Sequence, residues 1–199
     1  MAVISNGTTL IDAGAIDSGI ATGSMTLINT LTASSSATLT FSSGITSTYK
    51  EYLFTFNNIH PADNSVQFLV NFRDGSTAYD ATKTTSFFTA DHSEAGSTDG
   101  LVYVSGQDLA QSTAFQPLGY LIGNGNDECT SGTLRIFNPS STTLVKHFIA
   151  TTNYYYYADY SLNHYVAGYF NTTSAIDAVQ FKFSSGNIDA GDICLYGIA

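Results

Sequence analysis

Charge is what this chain is shortest of. Only 11% of its 199 residues are Asp, Glu, Lys or Arg, about half the usual share. The six basic residues, Lys50, Arg73, Lys83, Arg135, Lys146 and Lys182, are scattered singly. Neutralising phosphates needs a clustered basic footprint, so nucleic acid is not an expected partner. An anionic membrane surface is set aside on the same ground. Tryptophan is absent, and two cysteines, Cys129 and Cys194, are too few to read as a disulfide framework. They either pair or stay free, and free thiols are the favoured expectation. No stretch approaches the roughly 18 uninterrupted apolar residues of a membrane-spanning helix, so no membrane insertion is expected. The opening MAVISNGTTLIDAGAIDSG has no basic stretch ahead of an apolar core, so no Sec-type leader is expected either. No fixed-period repeat stands out.

What fills the chain instead is aromatic, apolar and neutral polar. Tyr and Phe contribute 13 residues each and the hydrophobic fraction is 43%. Six basic against sixteen acidic residues leave a net charge of −10. A surface of Ser, Thr, Asn and Gly suits extracellular β domains, appendages and assembly subunits better than a cytosolic α/β enzyme. The length suits one large β domain with a core that needs no metal or disulfide.

The clearest pattern is the closing run, Ala175 to Ala199. Val179, Phe181 and Phe183 alternate with Gln180, Lys182 and Ser184, the period of a strand with one apolar face. SSGNIDAG then supplies turn-forming residues, and alternation resumes at Ile193, Leu195 and Gly197. This reads as a core-forming hairpin whose last strand lies inside a sheet. The same period recurs upstream in Met25–Leu31, in Ala37, Leu39 and Phe41, and in Tyr52, Phe54 and Phe56. Val66, Phe68, Val70 and Phe72 read as inward, with Gln67, Leu69 and Asn71 outward. TTSFFTA predicts a short strand, Asp108–Phe115 at most one or two helical turns, and Leu118–Ile122 a strand. Leu134 and Ile136 lead through FNPSSTT into Leu144–Thr151, a central strand with Leu144, Phe148 and Ala150 on one face. Roughly ten to twelve strands with closely spaced turns predict an all-β, mostly antiparallel, jelly-roll-like β-sandwich over residues 24–199. Residues 1–23, rich in Gly, Ala, Ser and Thr, read as an irregular N-terminal arm.

Chemistry-bearing constellations are sparse. His92 and Glu94 stand two apart, short of the three protein ligands of a catalytic zinc, and read as a solvated turn. There is no GxSxG elbow and no phosphate-binding glycine motif. Carboxylate pairs could be drawn from Asp74, Asp80, Asp91, Glu94, Asp127 and Glu128, but their separation is not legible in sequence. RDGSTAYD and GNGNDE are calcium-compatible in composition yet match no EF-hand, and Asx-rich turns are the plainer reading. The expectation is therefore no enzyme, no catalytic residues, no metal and no cofactor. The least ordinary feature is tyrosine: Tyr154, Tyr155, Tyr156, Tyr157, Tyr160 and Tyr165. Four in a row place two rings on each face of a strand, so at least two should lie outside the core. Exposed tyrosines suit subunit contacts and stacking on sugar rings. The six are candidate interface or glycan contacts.

Several stretches together carry a resemblance: ISNGTTLIDAGAIDSG, LINTLTASSSATLTFSSGI, YKEYLFTFNNIHP, FNPSSTTLVKHF and FKFSSGNIDAGDICLYGI. In these the chain resembles small virion proteins of marine tailed phages, particularly cyanophages. The resemblance implies a jelly-roll-like sandwich on the capsid or tail surface and assigns no functional residues. The expectation is a non-enzymatic structural component located in the virion, a capsid decoration or tail appendage. Other virion proteins would be its partners, with a homo-oligomer, trimer favoured. A receptor-binding module for host surface glycan is the alternative, and a polysaccharide depolymerase a more distant one.

Overall fold

A computed structural model describes residues 3–5, 8–12, 15–16 and 24–199. Three short strands, β1 (Val3–Ser5), β2 (Thr8–Asp12) and β3 (Ala15–Ile16), pair with one another in a small antiparallel sheet. The arm is thus not irregular throughout, and the rest of residues 1–23 lies outside the described residues. Among the described residues, no strand ladder joins this sheet to the body.

The body is a twelve-stranded antiparallel sandwich. Its strands are β4 (Met25–Thr32), β5 (Leu39–Phe41), β6 (Glu51–Pro61), β7 (Val66–Arg73), β8 (Lys83–Ser93) and β9 (Asp99–Tyr103), then β10 (Gln116–Ile122), β11 (Thr130–Phe137), β12 (His147–Tyr156), β13 (Tyr160–Phe170), β14 (Ala178–Phe183) and β15 (Ile188–Ile198). Eight strands in the order β4-β15-β6-β11-β12-β13-β8-β9 make one large sheet. A smaller sheet, β10-β7-β14-β5, packs across it. The two are joined by backbone pairing at one point, Ile122 with Tyr156. The sandwich expectation holds in this two-sheet, barrel-like form.

Alternation decides which side chains fill the space between the sheets. Phe54, Phe56, Ile193, Leu195, Leu134, Ile136, Phe148 and Val166 from the large sheet are all buried. They face Phe68, Val70, Phe72, Val179, Phe181 and Leu118 from the small one, also buried. Phe181 is the hub. Its ring lies 5.6 Å from Phe54, 5.3 Å from Phe56 and 5.9 Å from Phe68, with mostly edge-on packing, the favoured arrangement for aromatic pairs.

That geometry corrects the closing hairpin. β14 and β15 are both strands with the predicted inward residues, but they do not pair. β14 lies between β7 and β5 in the small sheet, and β15 lies between β4 and β6 in the large one. The turn between them carries the chain across the sandwich, and β15 is indeed interior. At Gly191 φ is +107°, and a Cβ would sit 2.4 Å from the Asn58 carbonyl oxygen. Glycine is required there by backbone conformation and by close approach together.

Other differences have local causes. Leu69 and Asn71 are buried, because residues 105–115 cover the outer side of β7. The Asn71 amide donates to the Thr113 carbonyl at 2.9 Å, and Gln67 donates to Gln107 at 3.3 Å. That segment carries its helical turn earlier than predicted, a 3-10 turn at Ser105–Gln107, and 108–115 is not helical. β8 is eleven residues rather than short, since its ladder with β13 is unbroken from Lys83 to Ser93. β12 begins at His147, so Leu144 lies in the preceding loop and is exposed.

The connections sort to two ends. Loops 42–50, 74–82, 138–146 and 171–177 lie at one, and loops 33–38, 62–65, 94–98, 123–129, 157–159 and 184–187 at the other. The second end holds the tyrosine-dense segment.

Candidate functional site

The six tyrosines do not form one surface. β12 and β13 pair in register from His147 with Tyr169 to Tyr156 with Tyr160, so alternation assigns each ring a side. Tyr154 points inward and is 2% exposed, while Tyr156 and Tyr160 pack partly buried against the core. Tyr155 and Tyr165 point to the outer face of the large sheet, and Tyr157 is exposed at the turn. Tyr155 Oη donates to Asp159 Oδ1 at 2.9 Å, and that carboxylate raises the phenol's pKa. Tyr165 stacks on Phe88, with centroids 4.7 Å apart and planes 11° apart. Of the six candidates, Tyr154 is a core residue.

Its hydroxyl nevertheless organises this end. Tyr154 Oη donates to the Tyr120 carbonyl at 2.5 Å and accepts from the Tyr120 N–H at 3.2 Å. It also meets His164 Nε2 at 2.9 Å. A hydroxyl has one proton and two lone pairs. With its proton given to Tyr120, the histidine must donate, which makes His164 the Nε2–H tautomer. Beside it Thr152 Oγ1 donates to the Leu118 carbonyl. These side chains from β12 and β13 hold β10 where the backbone ladder between the sheets shrinks to one pair. His164 is 1% exposed, and burial drives its pKa down to about 4. His164 Nδ1 is buried without a hydrogen-bond partner among the described residues. In sequence His164 stands alone, with no other histidine or carboxylate beside it. Its inward phase on β13, next to Leu162 and Val166, was the available signal.

A cleft of about 430 Å³ opens above this cluster, between the upper halves of β8 and β13 and strand β10. Phe87, Val104, Tyr120, Tyr156, Tyr160 and Leu162 make it largely apolar, and Thr89, Asp91 and His164 add polar groups. Thr89 Oγ1 is a second buried atom without a protein partner. Aromatic walls with a few polar groups form the general pattern of a small-molecule site.

The outer face bears a shallower hollow of about 370 Å³ lined by His92, Glu94, Asp127, Cys129 and Tyr155, among others. His92 and Glu94 are both exposed. Among the described residues, no three His, Cys, Asp or Glu side chains come together as metal ligands. In the GNGNDE loop, Glu128 Oε2 accepts from the Gly125 N–H at 2.5 Å, so this carboxylate closes its own turn. Both thiols are free, and burial raises the pKa of Cys129.

Comparison with protein-family models, curated proteins and solved structures finds no match to this chain.

Proposed function

We propose that this protein is a non-enzymatic structural component of a tailed-phage particle. Residues 1–23 hold it to the particle, and the acidic sandwich faces outward as capsid decoration or tail appendage. The observation that carries this reading is the separation of ladders: β1, β2 and β3 pair with one another and, among the described residues, share no ladder with the body. A segment built that way can dock on a neighbour without withdrawing a strand from the sandwich. The sparsely charged Ser/Thr/Asn surface and the resemblance in the arm and closing strands support the same reading. The test compares the full chain with one lacking residues 1–23 for co-sedimentation with particles that lack the protein. The shortened chain should melt like the full chain yet fail to co-sediment. Undiminished co-sedimentation overturns the attachment role, and antibody labelling of intact virions separates capsid from tail.

The cleft favours a second reading, recognition of a host surface glycan. Tyr120, Tyr156 and Tyr160 offer faces for a sugar ring, and Asp91 and Thr89 offer acceptors for its hydroxyls. Glycan-array binding that falls in Tyr156→Ala and Tyr160→Ala but survives Tyr155→Ala supports the cleft. Binding that ignores all three changes removes it.

A further inference from the structure

The cleft between β8, β13 and β10 has a polar wall whose chemistry runs one way. Thr89 and Asp91 are two apart on β8. In the ladder with β13, Thr89 stands directly opposite His164, and Asp91 opposite Leu162. Opposite residues of an antiparallel pair share a face. The two buried atoms without a protein partner, Thr89 Oγ1 and His164 Nδ1, therefore belong to neighbouring side chains on the cleft wall. His164 gives its one ring proton, on Nε2, to the Tyr154 hydroxyl, which leaves Nδ1 as a bare lone pair. Asp91 can only accept, and among the described residues it makes no ion pair. Among the described residues the cleft is lined by no lysine or arginine.

We infer that this cleft holds one uncharged sugar ring, with a ring hydroxyl set between Thr89 and His164, and that it excludes sugars bearing a carboxylate. This rests on the glycan reading above and narrows its ligand to neutral hexoses. A hydroxyl is the group that satisfies both buried atoms at once. It donates to the imidazole lone pair and meets the threonine hydroxyl, which has a proton to give and lone pairs to offer. A ligand carboxylate has no proton for Nδ1. Asp91 lies one alternation along the same strand face, about 7 Å from Thr89, where a second hydroxyl of the same ring can donate to it. An acidic sugar would instead bring its carboxylate up to Asp91 between apolar walls, which strengthen the repulsion. The chain's net charge of −10 acts in the same direction.

The rest of the cleft fits the apolar side of such a ring. Tyr156 and Tyr160 stand at 86° to each other with centroids 5.6 Å apart, a corner of two aromatic walls, and Phe87, Val104 and Leu162 complete the lining. A volume of about 430 Å³ lies low in the range of small-molecule sites, roughly 300–1,000 Å³. That suits one terminal sugar rather than a run of polysaccharide. Thr89 Oγ1 and His164 Nδ1 are covered in the free protein. Tyr156 and Tyr160, half-buried on either side of the 157–159 turn, are the side chains that shift to admit the hydroxyl. A buried polar atom without a partner costs stability, so Thr89 is a place where the free protein gives up stability for its ligand.

The test is binding of the full chain to matched pairs of glycans, on the array and by NMR titration with methyl glycosides: glucoside with glucuronide, galactoside with galacturonide, mannoside with mannuronide. Within the pair that binds, the neutral member should bind about tenfold tighter or more, and Asp91→Asn should shrink that gap. Thr89→Val should weaken the neutral ligand by about tenfold. It should not lower the melting temperature, since this hydroxyl has no protein partner to lose. Acidic members that bind as well as or better than neutral ones overturn the inference and leave the glycan reading standing. Unchanged affinity in Thr89→Val, or an unchanged gap in Asp91→Asn, also overturns it. Absence of binding to every glycan of either kind removes the glycan reading itself, and this inference with it.

Discussion

The two ends of the sandwich solve the same problem with opposite chemistry. Strands β8, β12 and β13 run between them, and at each end a buried polar side chain fastens what the ladders do not. At one end the fasteners are cations. Lys83 is fully buried, with Nζ donating to Asn71 Oδ1 at 2.7 Å and to the Ala81 carbonyl at 3.0 Å. Lys146, 1% exposed, donates to the Thr172 carbonyl at 2.9 Å and to the Ser174 carbonyl. Among the described residues, neither ammonium touches a carboxylate. Above them Phe72, Phe148 and Phe170 pack with centroids 4.7–5.3 Å apart. At the other end the fasteners are neutral, Tyr154 and His164, and they lie beneath a cleft. Cations on carbonyls stitch loops shut, whereas a neutral hydroxyl–imidazole pair holds two sheets together and leaves space above it.

The comparison breaks most sharply at the Tyr154 hydroxyl. Tyr154→Phe removes one oxygen and leaves the Tyr120 N–H, the Tyr120 carbonyl and His164 Nε2–H without their partner. Each buried orphan costs about 1–3 kcal/mol, with partial relief by relaxation. A loss of about 3 kcal/mol in urea unfolding is the expected outcome, and a loss under about 1 kcal/mol would mean the hydroxyl is not the link between the sheets.

The acid limb of stability is the next largest effect and belongs to the same end. His164 has its pKa depressed to about 4, against about 6.5 in the unfolded chain. The unfolded state therefore binds the proton first, and His164's contribution is present above pH 6.5 and lost as pH falls towards 4. The full difference is worth about 3 kcal/mol. Unfolding free energies measured between pH 7 and pH 4 should fall by that order, and His164→Asn should flatten the slope in this window. An unchanged slope in His164→Asn would assign the acid limb to other groups.

At the cationic end, Lys146→Met should cost less, about 2 kcal/mol, because the Thr172 and Ser174 carbonyls lose a donor but sit in a loop near water. Hydrogen exchange should rise in 171–177 and not around Tyr120. Matched protection changes at both ends would mean that the two fasteners act as one unit.

How far these features can be read from sequence depends on range. Burial along a strand has period two and is local, so Val66, Phe68, Val70 and Phe72 or Phe54 and Phe56 declare themselves. Pairing is not local. β14 and β15 are joined by a short polar turn suited equally to a hairpin and to a crossing between sheets, and nothing within Ala175–Ala199 distinguishes the two. The burial of Asn71 depends on a segment some forty residues away, Gln107 to Thr113. The tyrosine run divided as alternation requires. That Tyr154 would bond to Tyr120 and His164, though, follows only from where β10 passes. Lys83 and Lys146 look in sequence like ordinary scattered surface charges. Burial of both ammoniums was therefore the least legible feature of all.

Lys83 gives the smallest effect and the one that discriminates best, because its sign is in question. Burial lowers its pKa to about 8, against about 10.5 when unfolded. Between those values the unfolded chain holds the proton and the native chain does not, so stability from this group is present above pH 10.5 and lost as pH falls to 8. At neutral pH Lys83 is charged and buried with no carboxylate in contact, and the longer-range attraction of Asp80 only partly offsets its desolvation, a state about 3 kcal/mol worse than the relaxed alkaline one. Lys83→Met removes that burden and keeps much of the side chain's volume. The Ala81 carbonyl loses a donor, but Asn71 Oδ1 keeps the Phe72 N–H at 2.9 Å. Replacing a buried charge by an apolar group of similar volume is commonly neutral or stabilising. The expected change at pH 7 is a gain of about 1 kcal/mol or none, shrinking further as pH rises from 8 to 10. A clear loss at pH 7 would place Lys83 with Lys146 as an essential stitch and make the cationic end as dependent on its charges as the other end is on one hydroxyl.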